Sequence, residues 1–283
     1  YRVSRTIRNE KIRLLSIYES ARIQLTRYIM IDIERHGPCA VLKFNRPAAL
    51  NALNAEGLSA LERALSEIAQ SDVRALIITG AGERAYCAGA DINELGPRTP
   101  EQIRAAARRG QAIGLQIENL PFPSIAVING YALGGGLELS LACTFRLAHK
   151  SAQMGFPEIA LGICTGWGGT QRLPRLIKIQ DALDLLMSGR LIDGVEAEKI
   201  GLVHSTFDGN LLEASLSFAT HFTGNSLPAM RLVREAVLRA SDMNLEQGFR
   251  SEADLSTLSY QLEDAAEGVS AFLEKRKPTF KDR

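Results

Sequence analysis

Asn129-Gly130-Tyr131-Ala132-Leu133-Gly134-Gly135-Gly136-Leu137-Glu138-Leu139-Ser140-Leu141-Ala142-Cys143 sets one carboxylate among apolar neighbours, behind three consecutive glycines. Burying an unpaired carboxylate costs several kcal/mol or raises its pKa, so a chain that keeps one there generally uses it. The glycines let a ligand approach bare backbone, with unpaired amide hydrogens and the positive end of the following helix turned toward it. A donor site for a developing oxyanion has this form. The sequence leaves an alternative open: a glycine-rich turn into a core helix whose Glu138 reaches solvent or an arginine such as Arg146.

Twenty residues on, Gly155-Phe156-Pro157-Glu158-Ile159-Ala160-Leu161-Gly162 again holds one acid among apolar residues. Read alone, Pro157 and Glu158 are favourable capping chemistry at a helix start. Read with Glu138, two isolated acids suggest a general acid and a general base. Upstream, Tyr86-Cys87-Ala88-Gly89-Ala90-Asp91-Ile92 follows an apolar run and a Gly-Ala-Gly turn; its small residues permit close backbone approach, and Asp91 suits capping.

Around these segments, residues 40–44, 75–79, 124–128 and 144–148 read as strands, three of them apolar enough to be buried on both faces. Asn54 is placed to cap a helix whose Leu58, Leu61, Leu65 and Ile68 recur at helical spacing, and residues 101–118 form a second, more polar helix. Alternating strands and helices imply an α/β fold with a parallel or mixed sheet. Beyond about residue 180 strand signals fade, and the chain reads as helices broken near Gly189, Gly201, Gly209 and Pro228. No glycine- or proline-rich linker isolates this part, so it is expected to pack against the core.

The 283 residues carry 33 basic and 32 acidic side chains and are 46% hydrophobic. That suffices for a sizeable core, and nothing global favours nucleic acid or an acidic membrane. Cys39, Cys87, Cys143 and Cys164 match neither a zinc pattern nor a disulfide framework, and fit a reducing compartment; Cys87 and Cys164 are expected to be buried small hydrophobes. Charged or polar residues interrupt every apolar stretch before the roughly 20 residues that span a bilayer. Residues 1–28 hold seven basic residues against Glu10 and Glu19, with Leu14, Tyr18, Ala21 and Leu25 on one helical stripe. This pattern is compatible with a mitochondrial transit sequence or with a plain extension. The expected location is cytoplasmic, or the mitochondrial matrix if residues 1–28 act as a transit sequence. The glycine runs Gly134–Gly136 and Gly166–Gly169 lack the context of a phosphate loop, with no Gly-x-Gly-x-x-Gly after the first strand and no Gly-Lys-Ser/Thr.

Five motifs in order, Asn51-Ala52-Leu53-Asn54, Cys87-Ala88-Gly89-Ala90-Asp91, Asn129 through Glu138, Pro157-Glu158 and Gly168-Gly169-Thr170-Gln171-Arg172-Leu173, resemble the crotonase superfamily. Within it the chain is most similar to enoyl-CoA hydratases, from about Met30 to Arg283. The resemblance implies an α/β crotonase-type spiral of repeated β-β-α units with a C-terminal helical region. It divides the chain into a basic extension (1–29), a spiral core (30–205) and a C-terminal helical oligomerisation region (206–283). It further implies an oxyanion hole from the amides of Ala90 and Gly135, catalytic Glu138 and Glu158, and substrate contacts from Arg46, Ala48, Ala88, Asp91, Ile92, Gly134 and Trp167.

No metal and no separate cofactor are implied, since coenzyme A is part of the acyl-CoA substrate. The implied assembly is a homotrimer or a dimer of trimers, and the implied reaction is addition of water to a trans-2-enoyl-CoA. Isomerase, dehydratase and hydrolase activities are the alternatives within the superfamily. An RNA-binding relative is a further one, opposed by the near-neutral charge and the lack of interleaved aromatic and basic residues. Phe156, Thr165 and Trp167 depart from the usual hydratase pattern, and Trp167 either narrows the acyl pocket or fills core space. The basic tail Lys275–Lys281 is either solvated or placed to meet the phosphates of CoA.

Overall fold

The apolar runs of the sequence become adjacent strands of one sheet in the computed structural model, which describes residues 25–28, 30–94 and 96–283. In chain order the first elements are β1 (Leu25–Tyr28), β2 (Ile31–His36), β3 (Cys39–Phe44), α1 (Ala55–Ala69), β4 (Ala75–Gly80), β5 (Ala85–Cys87) and α2 (Pro100–Glu118). There follow β6 (Ser124–Ile128), β7 (Tyr131–Leu133), α3 (Gly135–Leu141), β8 (Phe145–His149), β9 (Gln153–Gly155), α4 (Gly169–Leu176) and α5 (Ile179–Ser188). The remainder comprises β10 (Ile192–Asp193), α6 (Gly194–Lys199), β11 (Ser205–Phe207), α7 (Leu211–Thr223), α8 (Leu227–Arg239), α9 (Leu245–Ser259) and α10 (Glu263–Leu273).

The larger sheet has the order β1-β2-β3-β4-β6-β8-β11, antiparallel at β1/β2 and β2/β3 and parallel thereafter. The smaller has the order β10-β9-β7-β5, parallel among β9, β7 and β5. Each turn of chain therefore lays one strand in the large sheet, one in the small sheet and then a helix: β4-β5-α2, β6-β7-α3, β8-β9-α4. The two sheets advance together, which makes the architecture a spiral of β-β-α units. Sequence periodicity alone could not separate this from a doubly wound sheet, because the second strand of each turn has only three residues, too few to display a period of two.

The central strands of the large sheet, β3, β4, β6 and β8, are largely buried on both faces, as their mainly apolar sequences require. Leu42, Leu76, Ile78, Ala126 and Ile128 face the main core, joined by Leu58, Leu61, Leu65 and Ile68 of α1. Val41, Ile77, Ile125, Val127 and Leu147 face outward onto α7, where Ala219, Leu216 and Phe218 cover them. Asn54 caps α1 by accepting from Gly57 N at 2.9 Å, and Thr99 and Gln102 form a reciprocal capping box on α2.

Several expectations need correction. The region past residue 180 is not wholly helical, since β10 extends the small sheet and β11 pairs parallel with β8; strands of two and three residues leave no periodic trace. The strand expected at 144–148 begins one residue later, because Thr144 instead exchanges hydrogen bonds with Ser124 (Ser124 Oγ accepts from Thr144 N at 3.0 Å). Cys87 is buried as expected, but Cys164 is exposed, on the loop that follows the Pro157–Leu161 3-10 turn. Of the 1–29 extension, residues 1–24 and 29 lie outside the described residues, while Leu25–Tyr28 pairs with β2.

Past α7 packing is looser. Helix α8 has no buried residue. A cleft of about 1170 Å³, walled by Phe122, Leu141, Val233, Val237, Val269 and Phe280, separates these last helices from the core. The terminal tail folds back on its own chain. Asp264 accepts from the amides of Lys281 (2.7 Å) and Asp282 (2.9 Å), Arg276 pairs with Glu267 and Glu274, and Asp282 pairs with Arg74. No helix among the described residues is long and apolar enough to cross a membrane.

Candidate active site

The three-glycine turn is the centre of the site. Gly134 has φ +48° and ψ −124°, a backbone conformation that side-chain-bearing residues rarely adopt, and a Cβ there would overlap Glu158 Oε1. Its amide is tied to Gly155 O at 3.0 Å, so β9 fixes the turn from below. The helix that follows, α3, is buried along its whole length. Glu138 in its first turn is only 2% exposed.

Glu138 is held by backbone. Its Oε1 accepts from Trp167 N at 2.8 Å and Gly169 N at 2.6 Å. Burial pushes its pKa up, and these amides and the Arg172 charge oppose that shift. The alternative partner Arg146 is committed elsewhere: its Nε donates to Leu202 O (2.8 Å) and its Nη1 to Cys143 O (2.8 Å) and Ser140 O (3.4 Å). Glu138 is therefore an anchored carboxylate and not half of a core ion pair.

Glu158 lies in the first turn of the 3-10 segment Pro157–Leu161, with proline at its start. Its carboxyl group sits over Gly134, where an added Cβ would be 3.2 Å from Oε2. Burial pushes its pKa up to about 7, with the neighbouring Glu138 charge acting in the same direction. Oε2 is buried and has no hydrogen-bond partner. A carboxyl group in this condition can hold a proton near neutrality, whereas Glu138 carries two donors that favour its charged form.

Ala90 approaches from the other side. Gly89, at φ +89°, brings its backbone so close to α3 that a Cβ would stand 2.9 Å from Gly135 N. Leu53 pins the segment, donating to Gly89 O at 2.8 Å and accepting from Asp91 N at 2.9 Å. Among the described residues, no acceptor takes the amide hydrogens of Ala90 and Gly135. Gly89, the neighbour of Ala90, lies against Gly135 N, one residue from the Gly134 over which Glu158 sits.

The loops around this centre are braced internally. Asn51, buried and itself at φ +59°, accepts from Arg46 N at 2.9 Å and donates to Ala85 O at 2.7 Å and Ala81 O at 3.0 Å. Arg46 forms an ion pair with buried Asp91, which also accepts from Asn93 N at 3.0 Å, the capping role expected of it. Arg46 and Asp91 thereby tie the 46–52 and 88–94 segments together. Ala88 N donates to Leu50 O at 3.0 Å across the same seam, and Ala48 and Ile92 are exposed at its edges.

Trp167 is 9% exposed, and its ring is wedged between α2 and the glycine turn. A Cβ on Gly135 would stand 2.6 Å from its Cε3, and one on Gly110 would overlap its Cγ. Gly110 and Gly114 on α2, whose bare backbone admits Trp167 and the Arg172 guanidinium, do not stand out in the sequence; small residues four apart on a polar helix are the signal it carries. The Arg172–Glu118 pair leaves no local pattern either, since its members are 54 residues apart.

Comparison with known proteins identifies the family of the chain. Residues 34–283 match the family described as Enoyl-CoA hydratase/isomerase. The short-chain-enoyl-CoA hydratase of Clostridium acetobutylicum is 37% identical over 256 residues, spanning 89% of this chain and 98% of that protein. The crotonyl-CoA hydratase of Syntrophomonas wolfei is 38% identical over 255 residues, spanning 89% and 98%. The crystal structure of enoyl-CoA hydratase from Bacillus anthracis superposes with a TM-score of 0.83 at 38% identity, covering 92% of this chain and 99% of that one. Fold, motif order and relatives agree that the chain belongs to the enoyl-CoA hydratase/isomerase family of the crotonase superfamily.

Proposed function

We propose that the protein is an enoyl-CoA hydratase that adds water across the double bond of a trans-2-enoyl-CoA. The observation that carries the reading is that two differently held carboxyl groups, Glu138 and Glu158, flank the glycine turn whose Gly135 amide is unclaimed and against which the Gly89–Ala90 segment is packed. The thioester oxygen accepts from Ala90 N and Gly135 N, drawing electron density from Cβ. Glu138 takes a proton from water as its oxygen attacks Cβ, and Glu158 delivers a proton to Cα. Each amide contributes roughly 3 kcal/mol to the developing oxyanion, and each proton transfer roughly a hundredfold or more. All of this uses only the protein's own groups, with coenzyme A as part of the substrate.

The CoA portion runs along the seam between the two braced loops, bordered by Arg46 and Ala48 on one side and Ala88, Asp91 and Ile92 on the other. Loss of the conjugated thioester absorbance on mixing with crotonyl-CoA is the test. Absence of hydration with short, medium and aromatic enoyl-CoAs would overturn the reading.

Trp167 bounds the acyl end of the pocket, because its ring lies on the same Gly135 whose amide receives the thioester oxygen. Trp167→Ala is expected to raise kcat/KM on longer or bulkier enoyl-CoAs relative to crotonyl-CoA. It should also lower stability by about 3 to 5 kcal/mol, the usual cost of truncating a buried large aromatic. Chain-length profiles measured beside melting curves separate the two effects, and lowered stability with an unchanged profile would leave Trp167 as core packing alone.

Assembly into a homotrimer or a pair of trimers is the quaternary state proposed with this reading. Its support is the apolar surface on the C-terminal helices, where Phe272 is 82%, Tyr260 75% and Leu245 73% exposed. The four free cysteines suit a reducing compartment such as the cytoplasm.

A further inference from the structure

Arg172 projects from α4 back beneath α2. Its Nε and Nη2 grip the Glu118 carboxylate at 2.6 and 3.0 Å, and its Nη1 donates to Trp167 O at 3.0 Å. The guanidinium fits because two neighbours lack side chains: a Cβ on Gly114 would stand 2.7 Å from Nη2, and one on Gly168 would overlap Nη1. Trp167 N and Gly169 N are the two donors that hold Glu138 Oε1. Glu138 thus takes the amides of the Trp167–Gly169 turn while Arg172 takes a carbonyl of the same turn.

We infer that Arg172 is a positioning residue for Glu138: anchored bidentately on Glu118, it fixes the orientation of the Trp167–Gly169 turn, and through that turn the orientation and ionisation of the carboxylate. Isolated surface ion pairs contribute little, but this one is two-pronged and largely enclosed, with the Arg172 side chain 15% and the Glu118 side chain 30% exposed. The Arg172 charge also opposes the burial that raises the Glu138 pKa. The turn is also held by the packed Trp167 ring and by Gln111 Nε2, which donates to Gly166 O at 2.9 Å; Arg172 adds the side-chain donor that meets Trp167 O, on the peptide next to the amides that hold Glu138. The inference rests on the reading of Glu138 as the base, and extends it to a side chain that touches neither substrate nor the reacting atoms.

The experiment compares Arg172→Gln and Arg172→Lys with wild type, at a temperature well below their melting transitions. In Arg172→Gln, kcat should fall roughly ten- to a hundredfold with KM within about threefold of wild type, the scale of a misplaced catalytic group. The acid limb of the rate profile should move to higher pH, because ionised Glu138 has lost a nearby cation and ordered donors. Arg172→Lys keeps the charge but not the two-pronged grip, and should show a smaller shift of the limb; it carries the test if the glutamine variant does not fold. A carbon-13 titration of the Glu138 carboxyl group reads the same change without any turnover. A folded variant in which Glu138 titrates as in wild type, or in which kcat is preserved, overturns the inference. Failure of wild type to hydrate crotonyl-CoA would instead overturn the functional reading, and leaves the titration to judge Arg172.

Discussion

Glu138→Gln is expected to lower kcat on crotonyl-CoA at least roughly a hundredfold, with KM within about threefold and the fold intact. The amides of Trp167 and Gly169 need an acceptor, and the glutamine carbonyl oxygen supplies one in the place of Oε1. That choice turns the NH2 group to where the free carboxylate oxygen stood. The variant therefore offers the water a donor in place of a base, at nearly unchanged volume. Steady-state kinetics with circular dichroism checks the outcome, and near-normal turnover would remove Glu138 from the mechanism.

Glu158→Gln should be as damaging to turnover yet should stabilise the protein above neutral pH. In the folded state burial holds the Glu158 pKa at about 7, against 4.5 for the ordinary group, so the folded protein binds this proton more tightly than the unfolded chain. Below 4.5 both states are protonated and nothing is lost. As pH rises through 7 the folded state must carry a buried charge, at a cost of roughly 3 kcal/mol from a shift of this size. Glutamine resembles the protonated form and escapes that cost. Melting temperatures at pH 5 and pH 8.5 should show the variant's advantage only at the higher pH. Wild-type hydration should likewise decline as pH rises through about 7, as the acid is lost.

The sequence made the framework of the large sheet legible because β4 and β6 are largely continuous apolar runs and β3 is interrupted only by Lys43, and it made α1 legible through Asn54 and the Leu58, Leu61, Leu65, Ile68 stripe. The small sheet was hidden, since β5, β7 and β9 are short and owe their existence to neighbours laid down by other turns of the spiral. Glu138 stood out because a charge in an apolar run is expensive. Glu158 was legible mainly as its companion, because Pro157-Glu158 has a sufficient explanation in capping. What no local pattern could reveal is how the carboxylates are held. The donors to Glu138 lie about thirty residues downstream, and the guanidinium behind them reaches across to α2. Those relations depend on α2, α3 and α4 being stacked, and on glycines that matter for the space they leave as much as for their torsions.

In the proposed reaction Glu138 and Glu158 together add one water to the enoyl double bond. Incubation of the purified protein with crotonyl-CoA in oxygen-18 water, followed by mass analysis of the products, tests it most directly. The expected product is a 3-hydroxyacyl-CoA carrying one oxygen-18 at C3, with its formation abolished in the Glu138→Gln, Glu158→Gln double variant. Migration of the double bond without label, or release of free coenzyme A with the label in a carboxylate, would contradict it.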